Sequence, residues 1–433
     1  MVRATAKGFR LHIGFFGRRN VGKSSLLNAI TRQTVSIVSD VPGTTTDPVE
    51  KPMELQPIGP VLFLDTAGVD DVGALGAQRI EKTRQVIARS DIGVLVTEAG
   101  VWGEFEEKLL AELRTRSIPV LLAVNKADLR KPTPEQLARF EHEKLMWALL
   151  AATNGEGVDA FRELLWQIAP AEAAEPPAIV RDLVPSGETA VFVMPIDNEA
   201  PKGRIKNLQV QAIRDLLDGE SSCIVVKDSG FARALDNMKT PPSLVVTDAQ
   251  VFDMVARLTP TDVPLTAFSI LLSRLKGDLV AQTKAALTVD DLRPGDKVLI
   301  AESCTHHPIE EDIGRVKIPR WLERYVGGAL DFTHVKGRDF PEDLSPYKLV
   351  IHCGACMWNR QEMMSRIRDC QRQGVPITNY GLVIAMAQGI LERALEPFPE
   401  ALMAYREARA EKMAWAAIER APQIAEAEVA RVN

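Results

Sequence analysis

Between Leu11 and about Ile168, short continuous apolar runs alternate with stretches in which apolar residues recur at helical spacing. The runs Leu11–Phe16, Val61–Asp65, Ile92–Thr97, Val120–Asn125 and Trp147–Ala151 lack the in-out alternation of a half-exposed sheet, so they predict strands buried on both faces. The amphipathic stretches between them predict covering helices, and the segment reads as an open, mostly parallel α/β sheet with helices on both faces. The pattern stops at Ala169–Pro177, where prolines remove amide donors and fix φ, which predicts a linker.

A second alternation follows, with strands predicted at Ala190–Pro195, Cys223–Lys227 and Ser243–Thr247 and helices at Asn207–Leu217, Gly230–Met238 and Ala249–Leu258. So small a sheet leaves edges that must be covered or paired, so self-association is one role open to it, with a spacer domain as the alternative. The third alternation runs from about Leu265 to Phe398, with strands at Lys297–Ala301, Leu330–His334 and Lys348–His352. The expected organisation is thus a first α/β domain over 1–170, a linker over 171–180, a second, smaller α/β domain over 181–262, a third over 263–400 and an Ala/Glu/Arg-rich helical tail over 401–433.

Composition narrows the class. Of 433 residues, 46% are hydrophobic and 25% charged, which suits folded domains and excludes a disordered chain. No apolar run is long enough to span a bilayer, and Met1–Arg10 carries no apolar segment of signal-peptide length behind its basic residues. The expectation is a cytoplasmic protein without a membrane partner. A net charge of −6 argues against a nucleic-acid partner, which would need a basic face. The five cysteines are too few and odd in number for a disulfide framework, so the pair at metal-ligand spacing, Cys353 and Cys356, reads as a metal or cluster site.

The sequence Gly17-Arg18-Arg19-Asn20-Val21-Gly22-Lys23-Ser24 lies between a predicted strand and a predicted helix, Ser25–Ile30, where a phosphate-binding loop must lie. The expected phosphate contacts are Gly17, Asn20, Val21, Gly22, Lys23, Ser24 and Ser25, with Lys23 reaching the β and γ oxygens. Mg²⁺ is expected on Ser24, on Thr45 from Pro42–Asp47, and on Asp65 of Asp65-Thr66-Ala67-Gly68, with the Gly68 amide meeting the γ-phosphate. Asn125-Lys126-Ala127-Asp128 ends another buried strand, and the Asp128 carboxylate would accept from guanine N1 and N2, donors that adenine lacks. Ala151 and Ala152 are expected against guanine O6. The nucleotide is therefore expected to be GTP or GDP, and residues 1–170 a P-loop GTPase domain. Val69 stands where Ras-like proteins place the glutamine that orients water. GTPases that share this feature and resemble the chain use an asparagine at the Asn20 position to hold K⁺, which implies slow, K⁺-stimulated hydrolysis with Asn20, Lys23, Thr45, Asp65 and Gly68 in the catalytic set.

The second constellation is Cys304-Thr305-His306-His307 with His352-Cys353-Gly354-Ala355-Cys356. Three thiolates are one short of a closed site, so spacing alone leaves zinc with three Cys and one His level with an iron–sulfur cluster. Cys223 and Cys370 read as small apolar residues.

A GTPase segment of this type joined to Cys-x-His and His-Cys-x-x-Cys motifs resembles the HydF family of [FeFe]-hydrogenase maturation GTPases, over nearly the whole chain. The resemblance implies a 4Fe–4S cluster on Cys304, Cys353 and Cys356, an exchangeable fourth ligand with His306 and His352 as candidates and His307 a less clear third, and a dimerisation role for the middle segment. It also implies a scaffold or carrier for the diiron subcluster precursor, with apo [FeFe]-hydrogenase and the radical-SAM maturases HydE and HydG as partners. The alternative that the residues leave open is an RNA- or ribosome-associated GTPase with structural zinc.

Overall fold

A computed structural model describes residue 5 and residues 7–32, 48–66, 74–171, 176–196, 205–303 and 312–414, with only the backbone of 74–79 described in its helix. Three sheets are built from strands β1 Leu11–Phe16, β2 Val49–Leu55, β3 Gly59–Asp65, β4 Ile92–Glu98, β5 Val120–Asn125, β6 Met146–Leu149, β7 Thr189–Val193, β8 Ser222–Val226, β9 Leu244–Thr247, β10 Leu265–Ala267, β11 Lys297–Glu302, β12 Asp331–Lys336, β13 Leu349–His352 and β14 Ile377–Asn379. The described chain forms two compact units, one of them the first sheet together with Met357–Ser365, the other the second and third sheets.

The first sheet has the order β2-β3-β1-β4-β5-β6, parallel throughout except that β2 runs antiparallel to β3. Its strands are apolar on both sides because both sides are covered. Ile13, Phe15, Phe63, Val94 and Leu121 meet Leu26, Leu27 and Phe161 on one face. Phe16, Leu62, Leu95 and Leu122 meet Val86, Leu110, Leu113 and Phe140 on the other. The covering helices include α1 Lys23–Thr31 on the first face, and α2 Ala74–Ile87 and α3 Glu104–Thr115 on the second. Fully burying one such Phe or Leu contributes about 1.5–3 kcal/mol, which is why the apolar runs specify the sheet.

The second sheet, β10-β9-β7-β8, and the third, β12-β11-β13-β14, are parallel throughout. Two expectations are corrected here. Leu265–Ala267, assigned from the sequence to the third segment, pairs with β9 and so extends the second sheet. The strand expected at Trp147–Ala151 ends at Leu149, and Ala151 instead makes an isolated bridge to Glu156. Within the second unit, Arg393 donates to the carbonyls of Ala256, Thr259 and Pro260 at 2.6, 2.8 and 2.6 Å, satisfying the end of the helix Phe252–Leu258.

Candidate functional site

The first candidate site lies at the carboxyl ends of β1, β3 and β5, where an open parallel sheet offers a crevice. The loop from β1 into α1 demands glycine twice. Gly17 has φ +150° and a Cβ there would stand 2.3 Å from the Val96 carbonyl oxygen, while Gly22 has φ +91° and a Cβ there would stand 2.2 Å from Asn125 Nδ2. Asn20 is exposed with φ +59°, a left-handed conformation that asparagine tolerates. Lys23 is buried, and its Nζ donates to the Gly17 and Arg18 carbonyls at 3.0 and 2.7 Å, which holds the ammonium over the loop. Val21 is buried in the core behind the loop, and Ser25 is half-buried in the first turn of α1.

Ser24 Oγ donates to Asp65 Oδ2 at 2.6 Å, so a hydroxyl from the helix start and a carboxylate from the end of β3 converge on one point. This is a hard oxygen pair of the kind Mg²⁺ takes beside nucleotide phosphates. Thr45, Gly68 and Val69 lie outside the described residues, as do Pro42–Asp47.

The base side is built around Asn125. Its Nδ2 donates to the Val21 carbonyl at 2.8 Å and its Oδ1 accepts from the Ala152 amide at 3.0 Å. One buried side chain thus ties the phosphate loop to the loop after β6. The Ala127 amide donates to the Leu150 carbonyl at 3.1 Å, and Lys126, with φ +61°, pairs with Glu98. Asp128 is exposed on this loop, Ala151 is buried and Ala152 half-buried. No motif marks Glu106, which is fully buried in α3 and accepts from Arg18 Nε and Nη2 at 2.7 and 2.8 Å and from the Gly103 amide at 2.9 Å. It braces the phosphate loop and commits Arg18 to that task.

The second candidate site lies at the carboxyl ends of β11 and β13, neighbouring parallel strands in register at Ala301 and His352. Cys353 follows β13 directly, and its Sγ faces the Ser303 amide and Oγ at 3.1 and 3.2 Å, so the last described residue before Cys304 already meets the second thiol. At Gly354 a Cβ would stand 2.7 Å from Leu272 Cδ1, so a larger residue there would need that side chain to shift. Lys276, buried, donates from Nζ to the carbonyls of Ala355 and Cys356 at 3.4 and 3.2 Å, which puts a cation under the Cys353–Cys356 loop.

Cys304, His306 and His307 lie outside the described residues, and among the described residues no three His, Cys, Asp or Glu side chains are grouped to hold a metal ion. The thiols of Cys353 and Cys356 fit a thiophilic group, with the Ser303 donors suited to a thiolate. His352 has other commitments. Arg366 donates to its Nε2 at 2.8 Å, so Nδ1 carries the proton and donates to the Cys353 carbonyl at 2.7 Å. Burial, and then the Arg366 charge, push its pKa down to about 3. Ligation by His352 would cost one of these two bonds. Burial pushes the Cys223 and Cys370 thiols up to about 12, as suits packing residues.

Comparison with known proteins supplies the family. Residues 12–126 match a model described as 50S ribosome-binding GTPase, residues 179–277 the Hydrogen maturase F dimerization domain, and residues 280–397 the Hydrogen maturase F tetramerization domain. GTPase Der of Wolinella succinogenes is 33% identical over 170 residues, 36% of this chain and 36% of that protein. The tRNA modification GTPase MnmE of Synechococcus sp. (strain JA-3-3Ab) is 38% identical over 161 residues, 36% of this chain and 33% of that protein. The chain thus spans about a third of the length of these curated relatives. Among solved structures, an Aquifex aeolicus Era variant bound to GDP·AlF4⁻ superposes with a TM-score of 0.35 and 19% identity, over 57% of this chain and 97% of that one. With a GTPase segment in front and both hydrogen maturase F segments behind it, the chain belongs to the HydF family of hydrogenase maturation GTPases.

Proposed function

We propose that this HydF-family GTPase holds a 4Fe–4S cluster on Cys304, Cys353 and Cys356 and serves as scaffold or carrier for the diiron subcluster precursor of [FeFe]-hydrogenase. The observation that carries the reading is the pairing of β11 with β13, because it brings Cys353 and the strand leading to Cys304 to adjacent carboxyl ends. Three protein thiolates leave one iron with an exchangeable ligand, and a labile position is what a carrier needs in order to take up and release its cargo. The cluster, when bound, supplies that position. The chain supplies donors to the Cys353 sulfur from Ser303 and a buried cation, Lys276, beneath the loop. Of the histidine candidates, His306 and His307 suit the fourth position better than His352, whose nitrogens are already engaged.

The nucleotide site binds GTP or GDP with Mg²⁺, and our further proposal is that Asn20 ligates K⁺ and that hydrolysis is K⁺-stimulated. The two family segments imply self-association. For the dimer we propose pairing through β8, an edge strand whose Val225 is exposed. The proposed partners are apo-hydrogenase, HydE and HydG. Modification of tRNA is what the name of the MnmE relative states, and that relative matches 36% of this chain.

Incubation with apo-hydrogenase tests the carrier role. Protein produced together with HydE and HydG should activate the enzyme, and protein produced without them should not. Equal activation by both preparations, or by neither, would refute it.

A further inference from the structure

The unit that holds the nucleotide site also takes in Met357–Ser365, the residues that directly follow Cys356. Within that unit Asn359 is buried and uses every polar atom of its amide. Its Oδ1 accepts from the Glu362 amide at 3.2 Å, capping the helix Arg360–Arg372. Its Nδ2 donates to the Arg89 carbonyl at 2.8 Å and to Asp91 Oδ2 at 3.0 Å.

These partners matter because of where they lie. Arg89 follows α2, and the amides of Ala88, Arg89 and Ser90 still bond back to Arg84, Val86 and Ile87, so its carbonyl belongs to the end of that helix. Asp91 Oδ2 also accepts from the His12 amide at 2.7 Å, anchoring the starts of β1 and β4. A second tether from the same unit, Arg116 Nη1 to Ser365 Oγ at 2.8 Å, holds the helix farther along. α2 follows the Asp65-Thr66-Ala67-Gly68 motif in the chain, and segments at that place in GTPases are ordered by the γ-phosphate. A hydrogen-bonded helix carries a shift at one end to the other.

We propose that Asn359 is a positioning residue that ties the chain following Cys356 to the end of α2, so that the nucleotide state sets the surroundings of the Cys356 thiol. The inference rests on the nucleotide site alone and needs no cluster. The device is a single amide that caps one helix and satisfies the end of another.

The test uses full-length, metal-free, reduced protein loaded with Mg²⁺ and either GDP or a non-hydrolysable GTP analogue. A short iodoacetamide pulse is followed by mass spectrometry of each cysteine peptide, with the packed Cys370 as internal reference. In the wild type, the Cys356 alkylation rate should differ between nucleotides by about fivefold or more, the low end of ordinary coupling between two sites. Asn359→Ala should abolish that difference. Asn359→Asp keeps a helix cap but loses the donor and sets a carboxylate against Asp91, so it should abolish the difference too. Fluorescent-GDP binding, measured on the same samples, should stay within about twofold of wild type. Equal Cys356 rates in both nucleotide states of the wild type, or an undiminished difference in a folded Asn359→Asp protein, would overturn the proposal. Loss of GDP binding in the wild type would instead indict the nucleotide site.

Discussion

Replacing Asn125 with alanine tests whether the nucleotide site is pre-organised. The side chain is 2% exposed and bridges the Val21 carbonyl to the Ala152 amide. The substitution deletes both bonds and strands a carbonyl and an amide. A buried polar group left unsatisfied costs about 1–3 kcal/mol. Val21 is buried and Ala152 half-buried, so water recovers part of the second loss and the sum is about 2–4 kcal/mol. If that energy holds the phosphate and base loops in their binding arrangement, GDP affinity should fall by about 30-fold to several hundredfold. A fluorescent-GDP titration measures it, with circular dichroism to confirm the fold. Asn125→Asp is the informative partner variant. It retains an acceptor for Ala152 but turns an oxygen toward the Val21 carbonyl, so it should bind no better than the alanine variant. If Asn125→Ala, correctly folded, bound GDP within about threefold of wild type, the two loops would be organised without the strut and the reasoning would fail.

Gly22→Ala should bind no nucleotide, since the new Cβ meets Asn125 at a backbone φ of +91°; normal GTP turnover would contradict the loop geometry. Asn20→Ala should remove any K⁺ stimulation of turnover while leaving GDP affinity near wild type, and equal wild-type rates in Na⁺ and K⁺ would end the K⁺ proposal. Cys353→Ala or Cys356→Ala should abolish the cluster's visible absorption yet leave GTP hydrolysis within about twofold, because both cysteines lie in a different unit from the nucleotide site. His12 is buried, and its pKa is lowered from 6.5 to about 4 by burial first and by the nearby Arg89 and Lys7 charges, against hydrogen bonding of its ring to the Lys7 and Arg89 carbonyls, which raises it. The unfolded chain therefore takes up the proton first, so this contribution is intact above pH 6.5 and is lost as pH falls toward 4. Between pH 7 and pH 5 the loss is about 2 kcal/mol, and His12→Gln should show a correspondingly smaller drop in urea midpoint.

The central strands were legible because they are covered on both faces and so are continuously apolar. β2 was not, since Val49-Glu50-Lys51-Pro52-Met53-Glu54-Leu55 is an edge strand in which charges and a proline break the run. β10 and β14 are too short, at three residues each, to carry a period. At the nucleotide site, the motifs reveal which groups meet the ligand but not what braces them. Asn125 carries its bracing role through a contact to a residue 104 positions away, and Glu106 braces Arg18 across 88. The thiol spacing pointed to β11 and β13, and their pairing sets Cys353 beside the end of the strand that leads toward Cys304. His352 stands in the sequence as a candidate fourth ligand, and nothing there shows Arg366 against its ring. Asn359 had a readable half: Asn-x-x-Glu is a helix-start signature, whereas its grip on Arg89 and Asp91 spans about 270 residues and leaves no local pattern.

The most direct test of two chemistries on one chain is anaerobic reconstitution with iron and sulfide, followed by metal analysis and EPR of the reduced protein. The account predicts about four irons and four sulfides per chain, a reduced-cluster signal, and loss of both when Cys304 is replaced by alanine. One tightly held zinc per chain with no iron on the same sulfurs would contradict it.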